Sequence, residues 1–168
     1  AQQVLQQGAD KISINTPALE RPGLIDELVH AFGSQCVVIG IDSIAENETY
    51  TVRSHTGTPD DMRAPGRETL DWISEVEERG AGEIVLNCMS ADGTRAGYDI
   101  VQLQAARATT SLPLIASGGA GTEEHFLDAF RVADVDGALA ATVFHSGQIA
   151  IPDLKQFLNN KGIGVRPC

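Results

Sequence analysis

Short apolar runs alternate with amphipathic stretches along the whole chain. KISIN (11–15), CVVIGID (36–42), EIVLN (83–87), PLIAS (113–117) and the start of GALAATVF (137–144) are brief and rich in Ile, Val and Leu, and predict strands. The run 36–42 is almost continuously apolar, as in a strand buried on both faces. Between these runs the apolar period lengthens to that of a helix. PGLIDELVHAFG (22–33) has Pro22 near its start and Gly33 at its stop. TLDWISEVEERG (69–80) places Leu70, Ile73 and Val76 on one face, with Trp72 read as packing. DIVQLQAARATT (99–110), EEHFLDAFRVA (123–133) and IPDLKQFLNNKG (151–162) follow the same pattern. The run 137–144 is read as turning into a short helix. AQQVLQQGADK, without an initiator Met, reads as the last turns of a helix ending at Gly8 and suggests the later part of a longer protein.

Five strands, each followed by a helix, predict a parallel α/β fold. The longest interruption, 43–68, is polar and holds YTVRSH (50–55), a candidate extra hairpin strand; an excursion of that size after a strand is often functional. There is an internal echo. GADKISIN (8–15) and GAGEIVLN (80–87) share Gly, Ala, Ile and Asn at matching offsets, which is either a repeated βα pair or a common strand entrance met twice.

Composition narrows the functional classes. The chain has 168 residues, enough for one domain with a sizeable core, and with 42% hydrophobic but only 5% aromatic residues that core is aliphatic. A formal net charge of −11 argues against nucleic acid or an anionic membrane as partner, while leaving room for a local anion site. Cys36, Cys88 and Cys168 lack metal-ligand spacing and read as reduced cytosolic thiols. No apolar run approaches the length of a membrane span, so a soluble, cytoplasmic protein is expected.

In parallel α/β folds the carboxyl ends of the strands form the functional face. Here those ends read Asn15 and Thr16, Asp42 and Ser43, Asn87 and Cys88, Ser117 to Gly119, and Ala141 and Thr142. Asp42, closing an apolar run, is either an acid/base in a dry pocket or a turn cap. SGGAGT (117–122) fits neither the dinucleotide nor the Walker pattern. It is either a plain turn before a helix capped by Thr122, or a cradle of backbone N–H groups for an anion. DGTRAGYD (92–99) is either a neighbouring loop with Asp99 as helix cap or a second donor to that anion. His145 reads as structural.

Taken in order, GADKISIN, FGSQCVVIGID, ETLDWISEVEERGAGEIVLN, DGTRAGYD, LPLIASGGAG, HFLDAF, DGALAATVFH and GIGVRPC resemble the HisF family, the cyclase subunit of imidazole glycerol phosphate synthase, over almost the whole chain. The resemblance implies a (βα)8 TIM barrel, of which residues 1–168 supply about five units, strands 4 to 8, as one partial domain. It implies a lyase of histidine biosynthesis that converts PRFAR and ammonia to imidazole glycerol phosphate and AICAR. The ammonia would come from a glutaminase subunit, HisH, and neither cofactor nor metal is implied. By position, Asp42 matches a catalytic aspartate. Asn15 and Thr16 match the cradle for one substrate phosphate. Asp92, Gly93, Gly119, Ala141 and Thr142 match the cradle for the other, with Thr142 where many members carry Ser. Asn87 and Ser117 line the pocket, Lys11 and Glu83 match an ammonia gate, and Asp10 matches the glutaminase interface.

Against that family pattern, strands 1 to 3 and a second catalytic aspartate do not occur in these 168 residues. The chain alone is therefore expected to be inactive and to aggregate or self-associate through an open sheet edge. Two other readings compete: a HisA-type phosphoribosyl isomerase, which shares the fold and the phosphate sites, and a non-catalytic phosphate-binding half-barrel.

Overall fold

The computed structural model describes residues 1–47 and 49–166; Cys168 lies outside them. The elements run α1 (Gln2–Gln6), β1 (Ile12–Ile14), α2 (Thr16–Glu20), α3 (Gly23–Phe32), β2 (Val37–Glu46), β3 (Thr49–Arg53), α4 (Thr69–Glu78), β4 (Glu83–Cys88), α5 (Ile100–Thr109), β5 (Leu114–Ser117), α6 (Glu123–Arg131), β6 (Gly137–Leu139), α7 (Thr142–His145) and α8 (Ile151–Asn160). Each strand and long helix expected from the apolar pattern is present. The short α2 was not expected: Pro17 at its first turn starts it, and five residues are too few to show a helical period.

The sheet order is β1-β2-β4-β5-β6, parallel throughout, with β3 antiparallel on β2. Successive parallel strands are neighbours and the order never reverses. Right-handed crossovers therefore place the helices on one face, as in a (βα)8 barrel and unlike a doubly wound sheet. β1 and β6 do not pair with each other, so the sheet does not close on itself among the described residues. No helix of the described residues is long and apolar enough to cross a membrane.

The core lies between sheet and helices. Ile39 and Ile41 of β2, Ile84 and Leu86 of β4, and Leu114 and Ala116 of β5 stand in register and are almost fully buried. Trp72, Ile73 and Val76 of α4, Leu103 of α5 and Phe126 of α6 cover them. Each of the Ile, Leu, Val and Phe side chains among these contributes about 1.5–3 kcal/mol through burial. Trp72 packs as expected, with the Arg67 guanidinium 4.7 Å above its ring.

The second face of the sheet differs from strand to strand. β2 is buried on both sides over most of its length, as its continuous apolar run predicts. β4 and β5 instead alternate, with Val85, Asn87, Ile115 and Ser117 only half-buried. Their outer positions belong to the face that no helix covers. Read along this face, the register stacks three levels. Glu83 is level with Val38, and Lys11 lies below. Gly40, Val85, Ile115 and Gly137 form the next level, and Asp42, Asn87, Ser117 and Leu139 the top one.

Candidate functional site

The top level converges on Asp42. This residue is a middle position of a long strand rather than its last residue: β2 continues to Glu46 and turns back as β3, with Asp42 opposite Arg53. Arg53 does not pair with Asp42. Its guanidinium is 2.5 Å from Glu46 and donates to Thr51 at 2.8 Å, which holds the Glu46 carboxyl below its ordinary value. The chain leaving β3 brings Thr56 onto Asp42.

Asp42 is 9% exposed, and among the described residues its carboxylate accepts three side-chain hydrogen bonds. Asn15 donates to Oδ2 at 2.8 Å, Thr56 donates to Oδ2 at 2.5 Å, and Asn87 donates to Oδ1 at 2.9 Å. A carboxylate has about four acceptor directions, so one remains on Oδ1, beside Asn87. The turn-cap alternative for Asp42 finds no support, because none of these partners is a turn amide. Ser43 and Cys88 point the other way, into the helices. Ser43 is hydrogen-bonded to Thr69 at 2.7 Å and accepts from Gln102. Burial, and after it the nearby Asp99 charge, pushes the Cys88 thiol up to about 12.

Asn87 joins Asp42 to a cleft of about 190 Å³ lined by Asp92, Gly93, Arg95, Ser117 to Ala120, and Leu139 to Thr142. Its floor is the turn Gly118–Gly119, whose φ angles of +93° and +105° suit glycine. A Cβ on Gly119 would stand 2.0 Å from the Gly97 carbonyl oxygen, so turn and loop 92–97 are in backbone contact. Gly97 N–H donates to Gly119 O at 2.9 Å across this seam. The buried Tyr98 hydroxyl donates to Leu139 O at 3.0 Å, tying β6 to the same loop. The amides of Gly93, Gly119, Ala120 and Ala141 donate to no acceptor among the described residues. Free amides on three neighbouring βα connections, with Arg95 as the one basic side chain lining the cleft among the described residues, form a concavity whose chemistry suits an anion.

Ser117, Asn87, Asp92, Gly93, Gly119, Ala141 and Thr142 therefore meet around one cleft. Asn15 and Thr16 lie on the opposite flank of Asp42. There the Asn15 amide is engaged by Asp42, its Oδ1 is buried without a partner among the described residues, and the Thr16 hydroxyl accepts the His55 amide at 3.0 Å. Lys11 and Glu83 form an ion pair of 2.5 Å at the other end of the strands. Glu83 is level with Val38, four residues before Asp42, which puts the pair about 13 Å below the carboxylate at ~3.3 Å per residue. Asp10 is exposed at that end, and His145 is exposed at the close of α7.

Three residues of the site carry no signal in the apolar pattern. Thr56 sits in an irregular loop, Arg95 lies inside a turn motif read for its glycines, and His125 occupies a helix start. Thr122 is the N-cap of α6 as expected, and Asp99 caps α5 by accepting from Gln102 N at 3.0 Å.

Known sequences decide the family. Residues 1–150 match the family described as "Histidine biosynthesis protein". The chain belongs to that family. Proteins named "Imidazole glycerol phosphate synthase subunit HisF" from Stenotrophomonas maltophilia (strain K279a), Xylella fastidiosa (strain M12) and Xanthomonas oryzae pv. oryzae (strain MAFF 311018) are each 62% identical to it over 167 residues, 99% of its length. The chain spans 65% of the length of these relatives of the histidine biosynthesis family.

Proposed function

We propose that this chain carries the strand 4 to 8 portion of the cyclase subunit of imidazole glycerol phosphate synthase, a cytoplasmic lyase of histidine biosynthesis. The whole enzyme would convert PRFAR and ammonia to imidazole glycerol phosphate and AICAR. The observation that carries this reading is the buried Asp42, bracketed by Asn15 just past β1 and Asn87 on β4 and adjoining the amide-lined cleft. The names of the relatives support it and favour the cyclase over a HisA-type isomerase.

In this reading the cleft of Asp92, Gly93, Gly119, Ala141 and Thr142 takes one phosphate of PRFAR, and Asn15 and Thr16 help to hold the other. Pinning both ends of a flexible substrate brings its reacting atoms together before any proton moves. Asp42 then acts as general acid and base in ring closure and elimination, through the acceptor direction left on Oδ1. Asn87 and Ser117 line the space between. Lys11 and Glu83 guard the passage by which ammonia arrives from the opposite end, where Asp10 meets the glutaminase subunit HisH. No residue in this account needs a metal or cofactor.

The test uses a chimera in which residues 1–167 of this chain replace the matching segment of the Stenotrophomonas maltophilia relative. Removing an acid/base of this kind slows turnover by about 10²–10⁴. Asp42→Asn in the chimera is expected to lose that much kcat with a nearly unchanged KM for PRFAR. Unchanged kcat would remove Asp42 from the chemistry, and a chimera that binds no PRFAR would remove the assignment itself.

A further inference from the structure

The floor of the cleft is held from behind by a side chain that does not line it. His125, in the first turn of α6, turns its ring back over the preceding residues. Its Nδ1 lies 3.1 Å from the Gly121 amide nitrogen and 3.2 Å from that of Thr122. Both amides are donors, so Nδ1 must be the bare acceptor and the ring proton sits on Nε2. The same peptide segment is gripped at its other polar group, where Gln148 Nε2 donates to Gly121 O at 2.8 Å. The edge of the ring also faces loop 92–97: a Cβ on Gly97 would stand 3.5 Å from His125 Cδ2. One imidazole thus binds the turn and faces the loop across the seam, while the amides of Gly119 and Ala120 keep no internal partner among the described residues.

We propose that His125 is a positioning residue for the anion cleft. It draws the Gly121 and Thr122 amides to its own side, which fixes the peptide planes of the 118–121 turn and leaves Gly119 and Ala120 free for the phosphate. The residue type matters as well as the place. The side chain that reaches back in this way is usually Glu or Gln. A carboxylate here would add negative charge within one helical turn of the bound anion, next to Glu123 and Glu124. A neutral imidazole satisfies the same amides without that repulsion. This inference rests on the reading of the cleft as a phosphate site, and the test separates the two.

The 15N-labelled chimera described above is titrated with inorganic phosphate, following the Gly119 and Ala120 amide resonances, with His125 intact (wild type) and as His125→Asn, His125→Leu and His125→Glu. Asn Oδ1 occupies the place of Nδ1 and accepts from the same two amides, so it is expected to bind phosphate within about twofold of wild type. Leu leaves two donors unpaired and is expected to weaken binding about tenfold, the effect of one to two lost hydrogen bonds. Glu is expected to keep the wild-type melting temperature and still bind severalfold more weakly. A long-range imidazole 15N spectrum is expected to show Nδ1 unprotonated. Equal phosphate affinity in all four proteins overturns the inference and leaves the cleft standing, and a proton on Nδ1 does the same. If wild type binds no phosphate, the cleft reading falls and this inference with it. Should the Leu variant fail to fold, the contrast between Asn and Glu decides.

Discussion

Thr56 offers the sharpest test of how Asp42 is held, because its hydroxyl can be deleted without changing side-chain shape. Thr56→Val removes the 2.5 Å bond to Oδ2 and leaves Asn15 and Asn87 in place. A hydrogen bond to a charged group contributes about 1.5–3 kcal/mol, and Thr56 is only half-buried, so the lower end applies, about 1.5 kcal/mol. For a chain of this size that corresponds to a fall in Tm of about 3–6 °C. In an Asp42→Asn background the same bond is neutral to neutral and about half as strong, so Thr56→Val is expected to cost ~0.7 kcal/mol there. The coupling across the double-mutant cycle is therefore about 0.8 kcal/mol, larger than the ~0.3–0.5 kcal/mol seen between independent sites. Urea unfolding of all four proteins at pH 7, each made in the chimera described above, measures it, with equal m-values as the condition for comparison. If Thr56→Val costs the same in both backgrounds, the hydroxyl does not sense the carboxylate, and the hairpin has no part in orienting Asp42.

Gly119→Ala places a methyl 2.0 Å from Gly97 O at a φ of +105°, so it is expected to open the seam, cost about 1–3 kcal/mol or more, and weaken phosphate binding at least about tenfold; Gly93→Ala, which meets nothing within 4 Å, is expected to be milder. Wild-type phosphate affinity in Gly119→Ala would refute the cradle. At pH 8 a thiol at about 12 is thiolate in about one part in ten thousand, so iodoacetamide is expected to spare Cys88 until urea unfolds the chain, while the half-exposed Cys36 reacts in the native state; labelling of native Cys88, read by peptide mass, would contradict its burial. Ser111 donates to Glu77 through its hydroxyl at 2.5 Å and its amide at 3.1 Å, and the hydroxyl chiefly holds that carboxyl below its ordinary value of 4.5. A lowered folded value stabilises above the unfolded value and is lost as pH falls through the folded one. Urea midpoints are therefore expected to fall more steeply below pH 4.5 in wild type than in Ser111→Ala, and parallel curves would count against the bond.

The elements were legible because each apolar run is short, bounded by Gly or Pro, and switches period cleanly. The strand tips were legible for the same reason, since knowing where Ile84 to Leu86 end places Asn87. Which face a polar tip residue takes follows from strand alternation, and by that rule Asp42 and Ser43 point oppositely, although both look like site residues in a list of strand ends. The contacts from outside the regular elements were hidden. Thr56 reaches Asp42 only because β2 and β3 form a hairpin whose exit loop folds back, and no local pattern encodes that return. The engagement of Asn15 by Asp42 was equally hidden: a residue type suited to a phosphate cradle is also suited to a carboxylate, and only the approach of two strands chooses.

The echo between residues 8–15 and 80–87 acquires a physical meaning from the sheet order. β1 and β4 are the two parallel neighbours of β2, and matching positions of the repeat flank it two residues out of step, with Ile14 rather than Ile12 level with Ile84. Asn15 and Asn87 are identical and share a single partner, approaching Asp42 from opposite sides through Oδ2 and Oδ1. Lys11 and Glu83, four residues earlier in each copy, are opposite in charge and pair with each other. Two copies that both carried Lys there would set like charges against one another on the uncovered face, and two that both carried Glu would do the same. The geometry thus tolerates identity where the two strands serve a third and demands divergence where they touch. That pattern fits a repeated unit whose two copies enclose one site between them.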